Sequence, residues 1–279
     1  MNIFQALFLG IAQGVSEFLP ISSSGHLAIL QHIFNIKEGN LFFSEMLHFG
    51  TFLSIVVVFR KKIWKLIFEF IHFVIDGVHN KHIVFHNSYQ KVSVLIIVAT
   101  IPAAVVGILL EDFFAALYTN FIAIGFFFII TGGVLYLIDH IQQGYKKPKD
   151  MTFFDAIIVG IMQAVAILPG ISRSGSTISG LVLCKLERKF AFEFSFLMAL
   201  PPIFGAFLLG IVKVIKNSST LIAIDFNLII GVLTSFIIGV VSIKLLANLL
   251  RKNKLYYFSY YLIPLGITLI LLSLLGLVK

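Results

Sequence analysis

Two stretches of this chain set polar and ionisable side chains in otherwise apolar surroundings. The first, FQALFLGIAQGVSEFLPISSSGH at residues 4–26, carries Gln13, Glu17, Ser22, Ser23, Ser24 and His26. The second, FDAIIVGIMQAVAILPGISRSGS at residues 154–176, carries Gln163, Ser172, Arg173, Ser174 and Ser176, with Thr177 next in line. Arginine presents a planar fork of donors that matches phosphate oxygens, and hydroxyls with backbone amides at a helix start form an anion cradle. A carboxylate and an imidazole nearby could bind a metal or act as general base or acid. Together the residues suit a phosphate-bearing lipid or a phosphoryl transfer.

The two stretches are copies of one another, offset by 150 positions. Aligned without a gap they share Phe4/Phe154, Ala6/Ala156, Gly10/Gly160, Ile11/Ile161, Gln13/Gln163, Val15/Val165, Ile21/Ile171, Ser22/Ser172, Ser24/Ser174 and Gly25/Gly175. Their differences carry the chemistry. Glu17 and His26 face Ile167 and Ser176 in the second copy, and Arg173 faces Ser23 in the first. One copy holds acid–base groups and the other holds a cation.

Such residues must be positioned by a membrane fold. The chain has 279 residues, 59% hydrophobic and 12% charged, with a mean hydropathy of +1.02, which excludes a soluble domain. Apolar spans are expected at about 43–59, 92–110, 121–139, 190–213, 225–247 and 256–278, each long enough for one crossing. The stretches 3–34 and 154–184 differ, because Leu19-Pro20 and Pro169-Gly170 interrupt them before a Ser/Gly run. Proline removes a backbone donor and glycine frees the backbone, so each stretch is expected to be a re-entrant helix hairpin. Broken backbone at membrane depth is tolerated only where protein or a watery cavity surrounds it. The residues 62–91, with Trp64, Phe68, Phe70 and Phe73, are expected to form an interfacial helix and a cytoplasmic loop. Cys184 is the single cysteine, which excludes an internal disulfide and a cysteine metal cluster. No cleavable signal peptide is expected, because the N-terminus lacks a basic region.

Orientation follows from basic residues. Arg60, Lys61, Lys62 and Lys65 end one span; Lys146, Lys147 and Lys149 lie between the halves; Arg251, Lys252 and Lys254 precede the last span. These loops are assigned to the cytoplasm, and the acidic Glu111-Asp112 segment to the outside. Lys213 and Lys216 would also lie outside, at odds with the charge rule. The net charge of +8 is thereby explained by cytoplasmic loops near anionic lipid, and no nucleic-acid partner is expected. The expected fold is an all-α polytopic membrane protein in a single domain of two inverted-topology repeats, about 1–142 and 152–279. Each repeat is a re-entrant helix hairpin plus three transmembrane helices. Broken helices in inverted repeats place a polar site where their tips converge.

Singly, Ser22, Ser24, Ser174 and Ser179 could serve only close helix packing. Arg173 stands apart, beside a helix break and away from any basic loop. An intramembrane glutamate is costly to keep, which favours function for Glu17. His32, His48, His72, His79, His82, His86 and His140 lack such a setting and are given no role. Glu45 lies near a span start and could support the site.

The run QGVSEFLPISSSGH at 13–26 and the run PGISRSGST at 169–177 resemble the paired motifs of the undecaprenyl-diphosphate phosphatases, the bacitracin-resistance membrane proteins of bacteria. The resemblance implies hydrolysis of undecaprenyl diphosphate to the monophosphate carrier used in envelope polymer synthesis. It implies a divalent cation, Mg²⁺ or Ca²⁺, and a site facing the outer side of the bacterial plasma membrane. By motif position, Glu17, Ser23, His26 and Arg173 are the expected catalytic residues. Ser22, Ser24, Ser172, Ser174, Ser176, Thr177 and Gln13 are expected to bind substrate, and Glu17 to hold the metal together with substrate phosphates. Gln13 departs from the motif, which carries glutamate there in many members. Whether Ser23, His26 or an activated water attacks is left open, as is a homodimer. A lipid-phosphate transporter of the same architecture is the alternative, with lipid substrate and membrane lipid as partners in either case.

Overall fold

A computed structural model describes residues 1–36, 41–80, 84–142, 144–217 and 225–278. His82 lies outside the described residues, as does the side chain of Lys213. The sequence repeat reappears as repeated local structure. Helix α1 (Ile3–Ser16) starts on a capping box in which the Asn2 and Gln5 side chains each accept from the other's backbone amide. Helix α7 (Phe153–Val165) starts on the same device 150 positions later, built by Thr152 and Asp155. Each is followed by a break and a second short helix, α2 (Ser23–Ile33) and α8 (Arg173–Leu183). These too start alike: Ser22 Oγ accepts from the Gly25 amide at 3.4 Å, and Ser172 Oγ from the Gly175 amide at 3.1 Å.

The breaks use the left-handed backbone. In the second, Gly170 takes φ +102°, and a Cβ there would lie 2.6 Å from the Ile124 carbonyl oxygen. In the first, Ser22 bears the positive φ, at 69°. Its side chain answers that strain by accepting from the Gly170 amide at 3.1 Å, which ties the two breaks together.

The remaining helices are α3 (Leu41–Asn80), α4 (Ser88–Leu109), α5 (Glu111–Leu117), α6 (Phe121–Asp139), α9 (Arg188–Asn217), α10 (Phe226–Arg251) and α11 (Ser259–Leu274). Among the described residues, six segments are long and apolar enough to cross a membrane: Phe42–His79, Ser88–Leu109, Phe121–Asp139, Arg188–Val212, Phe226–Arg251 and Leu255–Leu274. These correspond to the six expected spans, and the protein is a multi-pass membrane protein.

One expectation needs correction. Residues 62–80 are not a separate interfacial helix; they continue α3 without interruption for 40 residues in all. No proline occurs between 60 and 80 and the only glycine is Gly77, so nothing in the sequence stops the helix. At 1.5 Å per residue such a helix is about 60 Å long, twice the hydrocarbon thickness, so its C-terminal half leaves the bilayer. The connection to α4 folds back on that half through the Phe73–Phe85 stack at 5.0 Å and the hydrogen bond from Asn87 Nδ2 to Glu69 at 2.6 Å.

Helix pairs pack through small residues, as helices in lipid do. Gly10 and Gly14 of α1 lie on the backbone of α10, where a Cβ at Gly10 would sit 2.7 Å from the Gly231 carbonyl. Gly160 of α7, the repeat partner of Gly10, lies on α4 against Ala99 and Pro102. Helix α3 meets α9 through aromatic stacks, Phe49–Phe207 at 4.2 Å and Phe52–Phe204 at 5.5 Å. Helix α6 meets α11 at Gly125 and Gly266. The first helix of each broken pair therefore rests against the opposite half of the chain.

Candidate active site

The two breaks meet at a cavity of about 260 Å³. Its walls include Glu17, Ser23 and Ser24 from the first break, Gln163, Ile167 and Arg173 from the second, and Glu45 and His48 from α3. Ala103 of α4 and Pro202, Ile203, Ala206 and Phe207 of α9 make the rest largely apolar. The cavity is thus a charged tip with a greasy wall, the form expected for a lipid bearing a phosphate head.

Glu17 is the hub. It follows the last residue of α1, and its carboxylate is almost fully buried. Arg173, the first residue of α8, donates from Nη2 to Oε1 at 2.5 Å. On the other oxygen, Oε2, Ser23 Oγ donates at 2.6 Å and Gln13 Nε2 at 3.0 Å, and His48 Nδ1 lies 3.2 Å away. A buried carboxylate is tolerable only with this number of donors. Because Glu17 and Arg173 sit 156 positions apart in sequence, their pair locks one tip to the other.

Helix geometry adds to the field. Ser23 and Arg173 are the first residues of α2 and α8, so both helices present their N-terminal ends at the meeting point. Such ends favour anions. Arg173 keeps Nη1 buried and without a partner. The Gln163 amide is in the same condition at both its nitrogen and its oxygen, with 3% of the residue exposed. Buried polar atoms of this kind need a partner, and the cavity is the space in which one would sit.

The residues singled out from sequence divide into three groups. Glu17, Ser23, Ser24 and Arg173 line the cavity. Gln13, Ser22, Ser172, Ser174 and Thr177 are buried behind it as scaffold. Gln13 holds Glu17 and also donates toward Thr51 Oγ1 at 3.4 Å; Ser172 and Ser174 hydroxyls lie 3.2 Å apart. Thr177 donates to the Arg173 carbonyl at 2.8 Å and meets Ser195 Oγ at 2.6 Å, which fixes the first turn of α8. His26 and Ser176 form the third group, outside the cavity lining. His26 Nδ1 lies 2.8 Å from the Ser22 carbonyl, and Nε2 lies 2.7 Å from the Tyr261 hydroxyl of α11.

Two ionisable cavity residues, His48 and Tyr118, were given no role from sequence, and Gln163 was named there only among the polar groups of the second copy. His48 reaches both Glu17 and Gln13, the latter at 2.8 Å. Its signal was available: Glu45 and His48 sit one helical turn apart in an apolar span, where ionisable groups are expensive. Tyr118, between α5 and α6, reaches in beside Ser24, and nothing in its local sequence announces this.

Among the described residues no three His, Cys, Asp or Glu side chains converge as a ready metal cage. The cavity does offer hard oxygen donors, Glu17 and Glu45 with the Ser23 and Ser24 hydroxyls. That set fits a magnesium-type ion, which takes one or two carboxylates and completes its shell with water and phosphate oxygens.

The fold and site define a class: a multi-pass helical membrane protein whose two broken helix pairs join at a polar, anion-attracting cavity. The chain belongs to the bacitracin resistance protein BacA family, whose model matches residues 6–268. It is 43% identical over 279 residues to a protein of Alkaliphilus metalliredigens named undecaprenyl-diphosphatase, covering 99% of this chain and 100% of that one. A protein of the same name from Carboxydothermus hydrogenoformans is 39% identical over 277 residues, covering 99% of each chain. The undecaprenyl-diphosphatase 3 of Bacillus cereus ATCC 14579 is 39% identical over 273 residues, covering 98% of each.

Proposed function

We propose that this protein hydrolyses undecaprenyl diphosphate to undecaprenyl phosphate and inorganic phosphate, the activity named for its full-length relatives. It thereby recycles the lipid carrier for cell-wall synthesis and confers bacitracin resistance, in keeping with the family description. The observation that carries the reading is the contact of Glu17 with both Arg173 and Ser23 at one cavity, the three residues coming from the two copies of the repeat.

In this reading the diphosphate enters head-first. Its oxygens take the free Nη1 of Arg173 and draw the guanidinium away from Glu17, where the two N-terminal helix ends add to the positive field. Ser23 Oγ attacks the terminal phosphorus as its proton passes along the 2.6 Å hydrogen bond to Glu17. The bond from that phosphorus to the bridging oxygen breaks, and undecaprenyl phosphate leaves with the bridging oxygen. Water then cleaves the phosphoserine and releases inorganic phosphate. Arg173 stabilises the charge on the equatorial oxygens in both steps. Glu17 and Glu45 are the residues that would hold a divalent cation, Mg²⁺ or Ca²⁺, which would neutralise charge on the diphosphate. His26 acts at a distance, by holding the first break through Ser22.

The two halves are read as inverted repeats with re-entrant hairpins in the bacterial plasma membrane, the site open to the outer side. Exchanged packing supports this: α1 lies on α10 while its copy α7 lies on α4, as a two-fold relation requires. The distribution of basic residues supports the orientation. The test is phosphate release by the purified protein in detergent. The reading requires Arg173→Ala and Glu17→Ala to lose activity by at least about 100-fold; near-normal hydrolysis by Arg173→Ala would overturn it.

The same exchanged packing of broken helices is shared with carriers, so movement of the lipid phosphate across the bilayer is a second reading. A liposome sidedness assay with a non-hydrolysable lipid diphosphate separates the two.

A further inference from the structure

Gln13 and Gln163 occupy the same position in the two copies of the repeat and are held differently. Gln13 lies behind the cavity, its Nε2 serving Glu17, His48 and Thr51 and only its Oε1 left without a partner. Gln163 stands on the other wall of the cavity with 3% of its surface exposed, and neither its nitrogen nor its oxygen has a partner. Helix α7 holds it there by packing Gly160, one turn earlier, against Ala99 and Pro102 of α4. A buried primary amide aimed into a polar cavity is a recognition element waiting for a group with both an acceptor and a donor.

Arginine cannot supply that kind of recognition. Its five N–H groups only donate, so Arg173 reads negative oxygen and is blind to whether a neighbouring oxygen carries a proton. An amide offers N–H on one side and a carbonyl on the other. Its complement on a phosphate is one bare oxygen next to one P–OH. A free terminal phosphate in its monoprotonated form has that pair, and a phosphate esterified at its end does not.

We propose that Gln163 is a specificity-determining residue that recognises the free end of the terminal phosphate, with Nε2 donating to a bare oxygen and Oε1 accepting from P–OH. Substrate is thereby distinguished from diphosphate lipids whose terminal phosphate already carries a substituent. Such a capped lipid leaves the Gln163 oxygen buried and unpaired, which is the strongest form of rejection a polar pocket has. The inference rests on the cavity being the terminal-phosphate site.

The test uses the full-length protein in detergent and two soluble probes, farnesyl diphosphate and its terminal methyl ester, as competitive inhibitors of lipid hydrolysis. In the wild type the free-ended compound binds more tightly. Gln163→Met, of similar length and apolar, lowers that preference by about 10- to 100-fold, the loss falling on the free-ended compound. Gln163→Glu, which keeps the size and the acceptor but loses the donor, also weakens the free-ended compound more than the ester. Thermal unfolding of each variant accompanies the inhibition constants. An unchanged preference in a folded Gln163→Met protein overturns the inference, as does equal weakening of both compounds, which marks a structural role. Arg173→Ala keeps the outcomes distinct: if it hydrolyses normally, the site itself is misassigned. If it is inactive while Gln163→Met keeps the preference, only the role of Gln163 falls.

Discussion

The Glu17–Arg173 pair makes two separable predictions, one for stability and one for catalysis. The Glu17 side chain is 5% exposed and that of Arg173 is 16% exposed. Removing one partner of a buried ion pair costs about 3–5 kcal/mol, because the other charge stays buried and unpaired. Arg173→Ala should approach that figure, since Glu17 has only neutral donors and His48 left. Glu17→Gln should cost less, about 1–3 kcal/mol, because Arg173 can turn toward the cavity and water. The double variant Glu17→Gln/Arg173→Ala removes both charges, so its cost should fall below the sum of the single costs by about 1–3 kcal/mol. Activity should not follow: all three proteins lose phosphate release by about 100-fold or more, because the double variant lacks both the cation and the carboxylate. The assays are chemical denaturation in mild detergent and release of inorganic phosphate from a prenyl diphosphate. Strictly additive stability losses would refute the claim that this pair locks the two tips, and recovery of activity in the double variant would refute the assignment of the site.

Three further outcomes follow from the same geometry. Rapid quenching with labelled substrate should trap phosphate on the wild-type protein at Ser23, and Ser23→Ala should trap none; label on His26 in the wild type would overturn the assigned nucleophile. His26→Ala should lower turnover more than Tyr261→Phe, because it breaks the 2.8 Å contact to Ser22 as well as the 2.7 Å contact to Tyr261, and the double variant should be little worse than His26→Ala; independent, multiplying losses would show that the imidazole acts by another route. Chelation of divalent cations should depress hydrolysis and added Mg²⁺ or Ca²⁺ restore it, with Glu45→Gln raising the cation concentration needed for half-maximal rate.

Much of this arrangement is legible in the sequence because membrane helices obey few rules and obey them strictly. Six spans, two breaks at Leu19-Pro20 and Pro169-Gly170, and the repeat itself all follow from hydropathy and backbone chemistry. The unbroken α3 was missed for a related reason. A basic cluster at 60–65 marks where a helix leaves lipid, and says nothing about whether it stops there. Within the site, Glu17, Ser23 and Arg173 announced themselves as polar groups beside a break. His48 lies away from either break and its partners are 31 and 35 positions away, so its only mark in the sequence is the cost of an ionisable group beside Glu45 in an apolar span. The place of His26 was equally hidden: a residue three positions into α2 can face either side of the helix, and only the packing of α11 decides which.

The differences between the copies then explain why there is one site and not two. Under the 150-residue offset the pair Glu17 and Arg173 maps onto the pair Ile167 and Ser23, and all four residues line the same cavity. Had both copies kept glutamate and arginine, two ion pairs would fill that space and neutralise one another. Nothing would be left to face a phosphate. With isoleucine and serine on the second diagonal, one pair sets the field, the serine is left to serve as the proposed nucleophile, and the isoleucine gives the cavity an apolar wall. Restoring the symmetry with Ile167→Glu/Ser23→Arg should therefore abolish hydrolysis without preventing insertion into the membrane.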